Sequence, residues 1–244
     1  FKKAFKILIN KITVSKDYDL VENQNLKLIK SFVESFSLVN EKFENNKYYG
    51  IFEINFNKNK VISFLRSQNI FHSRMIEKNV LFIPVFFNIE KNNLLLFDEN
   101  PFYKNWNNIE ENQFLINYVL QNEDLDDYKL INERIGFIEN YDFNEIISKY
   151  ELNKNYIIFI VLKDKNNLKT FSKFNVNSVK SNFKQEFYSF EIDKQDQIKK
   201  LIKLMKIRYD DEWKKINLIN TSIKLNIFLK LESKNINFIN KIEK

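Results

Sequence analysis

The stretch YYGIFEINFNKNKVISFLRSQNIFHSRMIEKNVLFIPVFFNIEKNNLLLF, residues 48–97, carries the clearest structural pattern in the chain. It opens with apolar and polar side chains in alternation, a period of two that is typical of a half-buried strand. The two faces of this strand carry Tyr48, Gly50, Phe52, Ile54 and Phe56 on one side and Glu53, Asn55 and Asn57 on the other. The alternation therefore predicts that the first face packs against a core.

The rest of this stretch predicts a helix and a buried strand. Val61, Phe64 and Leu65 are spaced as on one side of a short amphipathic helix. Val80–Phe87 is apolar at almost every position, which is typical of a strand covered on both faces. Pro84 lies inside this run and has no backbone N–H to donate, so we expect it at a sheet edge or a bulge.

The same spacing rules divide the remainder of the chain. Helices are predicted over Lys2–Ile12, Leu26–Phe43, Glu110–Val119, from Asp142 or Tyr141 to Tyr150, from a cap at Asp193 to Ile216, and over Asn235–Ile242. Strands are predicted over Leu94–Phe97, Tyr156–Leu162, Leu168–Phe174, Asn175–Ser181, Glu186–Ile192 and Ile223–Leu231. Asn100–Asn108 is predicted to be a loop. This mixture predicts an α+β fold in which small mixed sheets pack with helices, as two domains (1–150 and 151–244) or as one.

The end of the chain echoes the opening stretch. Ile51–Arg66 aligns with Asn226–Lys241, with Val61 matching Ile236. Either the chain contains two related helix-strand-helix units or a biased composition produces the match by chance. A true second unit needs a partner strand from elsewhere, and Tyr156–Leu162 is the predicted donor.

Composition excludes several kinds of site. The chain has 244 residues with 25 Phe but only two Gly and no Cys, a bias that indicates a low-GC genome. Without cysteine it forms no disulfide and no thiolate metal site. With Gly50 and Gly136 as its only glycines, it cannot build a glycine-rich phosphate loop. No apolar run approaches the roughly 18 residues that span a bilayer.

Charge is distributed unevenly along the chain. Residues 1–164 hold 21 basic and 23 acidic side chains, a net charge of −2, whereas residues 165–244 hold 18 and 9, a net charge of +9. The basic part predicts an anionic partner, either nucleic acid or a membrane surface, or else a solvated lysine face. Lysines and aromatic residues alternate between 173 and 188, which suits phosphate contact with base stacking but is also typical of a half-buried strand.

Three groups of residues could carry chemistry. His72 is the only histidine, so any histidine-dependent triad must use it, but no nucleophile motif surrounds it. Glu123, Asp124, Asp126 and Asp127 form an acidic cluster without the spacing of a calcium loop, which favours a helix entry or solvated turn. Asp210, Asp211 and Glu212 could hold a hard cation, but a run that lies late in a long helix is expected to face water.

Several segments together resemble the bacterial domain of unknown function 2066 family. They are KAFKILINKIT (Lys3–Thr13), KYYGIFEINFNKNKVISFLRSQNI (Lys47–Ile70), KNVLFIPVFF (Lys78–Phe87), NPFYKNW (Asn100–Trp106), DFNEIISKYELNKNYIIFIVL (Asp142–Leu162) and DEWKKIN (Asp211–Asn217). The resemblance implies an exported protein of the Gram-negative cell envelope, and the start at Phe1 is consistent with a removed signal peptide or with a boundary of the piece studied. It implies no catalytic residues.

These observations predict a non-enzymatic interaction or assembly module of the periplasm, with no cofactor and no metal. Its partner is expected to be an envelope protein or an anionic membrane surface, and the candidate partner-facing residues are Pro84, Trp106, Lys173, Lys180 and Lys184. The alternatives are a nucleic-acid-binding protein that uses the basic C-terminal third, a hydrolase-like enzyme, and a cytoplasmic location.

Overall fold

The computed structural model describes residues 1–108 and 113–219, which form eight α-helices and eight β-strands in an α+β arrangement. The helices are α1 (Lys2–Ile12), α2 (Ser15–Val21), α3 (Leu26–Phe32), α4 (Lys58–Ser67), α5 (Pro101–Trp106), α6 (Leu125–Glu133), α7 (Asn144–Ile147) and α8 (Gln195–Ile216). The strands are β1 (Val33–Glu44), β2 (Lys47–Phe56), β3 (Lys78–Asn88), β4 (Asn93–Leu95), β5 (Ile116–Leu120), β6 (Tyr156–Asp164), β7 (Asn167–Val176) and β8 (Val179–Phe187).

Six of the strands form one mixed sheet in the order β4-β3-β6-β7-β8, with β5 also beside β3. The central pair, β3 and β6, is parallel, whereas β6, β7 and β8 form an antiparallel meander. The apolar runs predicted for β3 and β6 are confirmed as central strands, because helices cover both sides of the sheet. Helices α5 and α8 pack on one side, and α6 and α7 pack on the other.

The sheet is not divided at residue 150. Strand β3 lies before this position and β6 after it, and their pairing runs from Leu81–Tyr156 to Asn88–Lys163. Both edges of β6 are occupied, by β3 and β7. The expectation that β6 completes the sheet of a second repeat unit is therefore wrong. The second unit itself, 226–241, and the helix and strand predicted after residue 219 lie outside the described residues.

Three local predictions are corrected. The helix predicted over Leu26–Phe43 ends at Phe32, and the chain continues as the extended strand β1. The helix predicted over Glu110–Val119 is replaced, where the chain is described, by the strand β5 beside β3. The segment predicted as a loop after Asn100 is the helix α5, because the Asn100 side chain accepts from the backbone N–H groups of Phe102 and Tyr103.

The four N-terminal helices form a separate small core. It is built from apolar side chains of α1, α2, α3 and α4, with the Phe5 ring 5.7 Å from that of Phe32 and 6.0 Å from that of Phe56 in β2. Strands β1 and β2 leave this core as a two-stranded antiparallel sheet that pairs with no other described strand. The opening stretch of sequence thus contributes to two sheets, with β2 in one and β3 in the other.

A buried ion pair joins the N-terminal helices to the large sheet. Lys214 Nζ lies 2.8 Å from Asp210 Oδ2, and both side chains are at most 2% exposed. Asp210 also accepts a 2.6 Å hydrogen bond from the backbone N–H of Leu115, just before β5. Lys214 donates to the carbonyl oxygen of Asn10 on α1. The expectation that this acidic run faces water is wrong for Asp210, because α8 turns it toward the core.

We predict that Lys214→Met lowers the free energy of unfolding by about 3–5 kcal/mol, because it leaves the carboxylate of Asp210 buried without its cation. The neighbouring Lys215 provides a matched control, since it pairs with Glu212 at 2.6 Å but is 54% exposed. Lys215→Met should cost less than about 1 kcal/mol. Urea unfolding of the two variants checks this, and equal losses would contradict it.

Candidate protein-interaction site

Strands β1 and β2 form a long ribbon that closes in a two-residue turn. Asn45 and Asn46 occupy the turn with φ values of 50° and 59°. Positive φ at both turn positions matches the right-handed twist of paired strands, and asparagine tolerates that conformation better than most residues. The Asn-Asn pair followed by an alternating segment was thus the sequence signal for a hairpin, although the helical spacing before it predicted a helix.

The pairing register assigns the apolar side chains of the ribbon to one face, because directly opposed residues point the same way. Phe36 opposes Ile54, Leu38 opposes Phe52, and Phe43 opposes Tyr48. We call the exposed part of this side the apolar face. It consists of Phe36, Leu38, Phe43, Tyr48 and Phe52, all between 43 and 71% exposed.

The opposite side of the ribbon is mixed in character, and we call it the polar face. Its residues are Ser35, Ser37, Asn40, Lys42, Glu44, Lys47, Tyr49, Ile51, Glu53 and Asn55. Lys42 and Glu44 form an ion pair of 2.7 Å there. The ribbon is therefore amphipathic, as the alternation from Tyr48 predicted, but the described residues leave the outer part of its apolar face without cover.

The apolar face continues outward from the N-terminal core. Phe56, at the inner end of the same side of β2, packs on Phe5. One step further out, Phe36 meets the ring of Phe1 edge-on at 5.5 Å. Beyond this point the alternation goes on without a helix against it. The ribbon is thus anchored at its base and presents core-like side chains along its outer half.

Gly50 lies in the middle of the apolar face. A Cβ atom at this position would stand 3.2 Å from Leu38 Cδ1 and 3.2 Å from Phe52 Cε2. The neighbouring side chains therefore lean over the glycine and close the surface above it. Aromatic rings that cover a strand glycine in this way stabilise the pairing around it.

Of the residues that the pairing register places on this side of the ribbon, Glu41, opposite Gly50, is the one that carries a charge. Its carboxylate accepts a hydrogen bond from the Tyr48 hydroxyl, a member of the apolar face. This hydrogen bond raises the pKa of Tyr48 above its ordinary value, so the tyrosine stays neutral at physiological pH. The Tyr48 hydroxyl of the apolar face thus provides a hydrogen bond to the Glu41 carboxylate.

An open cleft of about 540 Å³ lies at the base of the ribbon. Its walls are largely apolar and include Ile54, which belongs to the same side of the ribbon as the apolar face. His72, Ser73 and Arg74 also line it, and Ile219 lies beside them, where its N–H donates to the carbonyl oxygen of His72.

Among residues 1–108 and 113–219, no serine or carboxylate is hydrogen-bonded to His72 in this cleft. Burial lowers the pKa of its imidazole, and the charges of Arg66 and Lys58 lower it further. The Ser73 hydroxyl donates to the carbonyl oxygen of Arg74 at 3.1 Å, away from the imidazole. A neutral histidine without a hydrogen-bonded serine or carboxylate lacks the arrangement that activates a nucleophile.

Two of the predicted partner-facing residues are inaccessible. Pro84 is buried in β3, where its carbonyl accepts from Asn100 Nδ2 at 3.1 Å. Along the edge of β3 that faces away from β6, pairing with β5 ends at Phe82 and pairing with β4 begins at Phe86. Pro84 lies in the gap between them, where no backbone N–H is required. Trp106 is fully buried and stacks on Phe82 at 3.9 Å. Neither residue can contact a partner, which corrects both predictions.

The three predicted lysines lie on one side of the β7–β8 hairpin. Lys180 and Lys184 are exposed, whereas Lys173 donates to the carbonyl oxygen of Tyr141 at 2.7 Å. Phe174, Phe183 and Phe187 lie on the other side, where they pack toward α8. The alternation of lysines and aromatics is therefore that of a half-buried strand, with Phe171 as an exception on the lysine side, where Lys184 Nζ lies 4.6 Å from its ring centroid.

The acidic cluster is a helix entry, as predicted. The carboxylate of Asp124 accepts from the backbone N–H of Asp126 and caps α6. Lys149 Nζ donates to Asp124 at 2.7 Å and to the buried Asp127 at 2.6 Å. Among residues 1–108 and 113–219, no group of three or more acidic, histidine or cysteine side chains is arranged to hold a metal ion.

Comparison with protein-family models, curated proteins and solved structures gave no match to this chain. The resemblance to the domain of unknown function 2066 family therefore stays a prediction. In the part of the chain that the structure describes, no helix has the length and apolar character needed to cross a membrane.

The contacts of Lys149 predict the acid titration of Asp124. The hydrogen bond from Lys149 holds the pKa of this carboxyl below its ordinary value of about 3.9. The stability that it contributes is present above that ordinary value and is lost as the pH falls through the lowered pKa. In Lys149→Met, carboxyl NMR should show the Asp124 pKa moving up, and Lys149→Arg should restore it. An ordinary pKa in the unmodified chain would contradict this.

Proposed function

We propose that this protein is a non-catalytic interaction module that binds a protein partner through the apolar face of its β1–β2 ribbon. The observation that carries the proposal is the exposure of five large apolar side chains on one side of an anchored, projecting ribbon. Continuous apolar patches of several hundred Å² are uncommon on monomeric proteins and mark sites of association.

The charge of the ribbon favours a protein over an anionic surface. Residues 33–56 hold four glutamates and two lysines, a net charge of −2 in a chain of net charge +7. Nucleic acids and anionic membranes attract positive surfaces and repel negative ones. Most basic residues of the chain lie outside the ribbon, so the charge of the ribbon does not favour an anionic partner.

Three phenylalanines of the β7–β8 hairpin give the nucleic-acid alternative little support, although Phe171 lies beside Lys184 and Tyr188 is exposed. Stacking requires aromatic rings that are open to bases beside the lysines that contact phosphates. Here Phe174 is buried, and Phe183 and Phe187 pack against the core on the side of the hairpin opposite Lys180 and Lys184. The enzyme alternative likewise has no assembled catalytic group among the described residues to support it.

Adjacent tyrosines allow a sharp test of the ribbon. Tyr48 belongs to the apolar face and Tyr49 to the polar face, and they are 58 and 53% exposed. We expect that replacing Tyr48 with the photoreactive residue p-benzoylphenylalanine traps a discrete protein adduct in cells that express the full chain. The same replacement of Tyr49 should trap far less, because the polar face stays in water.

Equal adducts from both positions, or none from either, would overturn the proposed function. Both variants should first be shown to unfold at the temperature of the unmodified chain. Since both side chains project into solvent and the two replacements are of the same size, they form a matched pair.

The periplasmic location also belongs to this proposal, and its support is the resemblance described above. We expect the product of the full-length gene to be released with the periplasmic fraction when the outer membrane of its host is opened. Release only after lysis of the inner membrane would make the location cytoplasmic, without bearing on the ribbon.

A further inference from the structure

The apolar face is suited to contact a copy of itself. Within the described ribbon its side carries one charge, Glu41, which already accepts a hydrogen bond from Tyr48. A surface of this kind needs no opposite charge from a partner, so its best complement is another apolar face. In a two-fold arrangement the same patch on two copies supplies both sides of the contact.

The area of the apolar face is large enough for such a contact. Its five side chains are 43–71% exposed, and large aromatic side chains carry roughly 200 Å² each. They therefore offer roughly 500–600 Å² per copy, and two copies would bury roughly 1,000–1,200 Å² of apolar surface. A specific interface requires about 1,000 Å² or more, counted over both partners.

The face offers a better contact than the outer edge of β1. The pairing of β1 with β2 slips between Val33 and Ser35 and again between Leu38 and Asn40. Such bulges twist a strand and interrupt the regular spacing that an added strand would need. The apolar face continues across the second slip, because Leu38 opposes Phe52 on one side of it and Phe43 opposes Tyr48 on the other.

We propose that the partner of the apolar face is a second copy of this chain, and that the two ribbons pack face to face about a two-fold axis. The inference rests on the proposed function and names its partner. The result is a four-stranded sandwich with sheets about 10 Å apart. Both polar faces lie outside, where Lys42, Glu44, Lys47 and Glu53 stay hydrated.

Self-association is tested first by mass. Sedimentation should give the full chain twice its monomer mass of 29.7 kDa, and the Phe43→Ser/Phe52→Ser variant should lose the dimer. Tyr49→Ser/Ile51→Ser removes two large side chains from the polar face and should keep it. A monomer over a wide range of concentration for the unmodified chain would overturn the inference, as would equal loss of the dimer in both variants.

The absence of cysteine allows the geometry to be tested with single thiols. Leu38 lies near the midpoint of β1 on the apolar face, and Ser37 precedes it on the polar face. With a short bis-maleimide, Leu38→Cys should form a covalent dimer much faster than Ser37→Cys, whose two copies are separated by the thickness of both ribbons. Equal rates would overturn the face-to-face arrangement.

Failure of the inference and failure of the proposed function give different results. If the unmodified chain is a monomer while the photoreactive Tyr48 variant traps a different protein, the inference falls and the proposed function stands. If Phe43→Ser/Phe52→Ser lowers the melting temperature of a monomeric chain by many degrees, the apolar face packs within the chain and both fall.

Discussion

The buried pair of Asp210 and Lys214 is the contact on which the arrangement of the molecule depends. One helix, α8, uses it to hold the backbone of Leu115 beside the large sheet and the carbonyl of Asn10 on α1. A buried charge pair is stable only where further hydrogen bonds satisfy both groups. These hydrogen bonds favour one arrangement of the surrounding backbone groups over others. Apolar packing alone is less directional. The pair therefore helps to place the N-terminal helices, together with the neighbouring Asp211, which accepts from the N–H and the hydroxyl of Ser15.

The position of α1 in turn determines where the ribbon is covered. Phe5 packs on Phe56 and Phe1 meets Phe36, and no described helix packs on the side chains further out. A two-stranded ribbon is marginally stable alone in water, so its anchorage at the base is needed for it to project at all. The same side of the ribbon is core at one end and surface at the other. The ribbon's own alternation along β2 continues unchanged between these two ends.

Much of the large sheet could be predicted from the sequence, because β3, β6 and α8 are long and strongly patterned. Strand β1 could not, since Leu28, Ile29, Phe32, Val33 and Phe36 satisfy helical spacing across a boundary at which α3 ends. Pro84 was correctly linked to a gap in strand pairing, but burial by α5 is a tertiary effect that no local pattern contains. Asp210 and Lys214 were missed for the same reason, because their spacing of four residues is also that of an exposed helical pair.

The alternation of apolar and polar residues in β2 could be recognised in the sequence, but its role as a candidate interaction site could not. A pattern of period two states which side chains share a face, and it does not state whether anything covers that face. Catalytic and metal sites can be recognised in a sequence by scarce residue types at fixed spacings. Phe43, Tyr48 and Phe52 are instead common residue types in this chain, which has 25 phenylalanines. What distinguishes these three residues is their position, since they continue the side chains of the N-terminal core along the ribbon beyond the described helices. The residue types that are usual in catalytic and metal sites therefore point to His72 and the acidic runs, which serve the fold. They do not point to the apolar face, although its exposure to water is unfavourable.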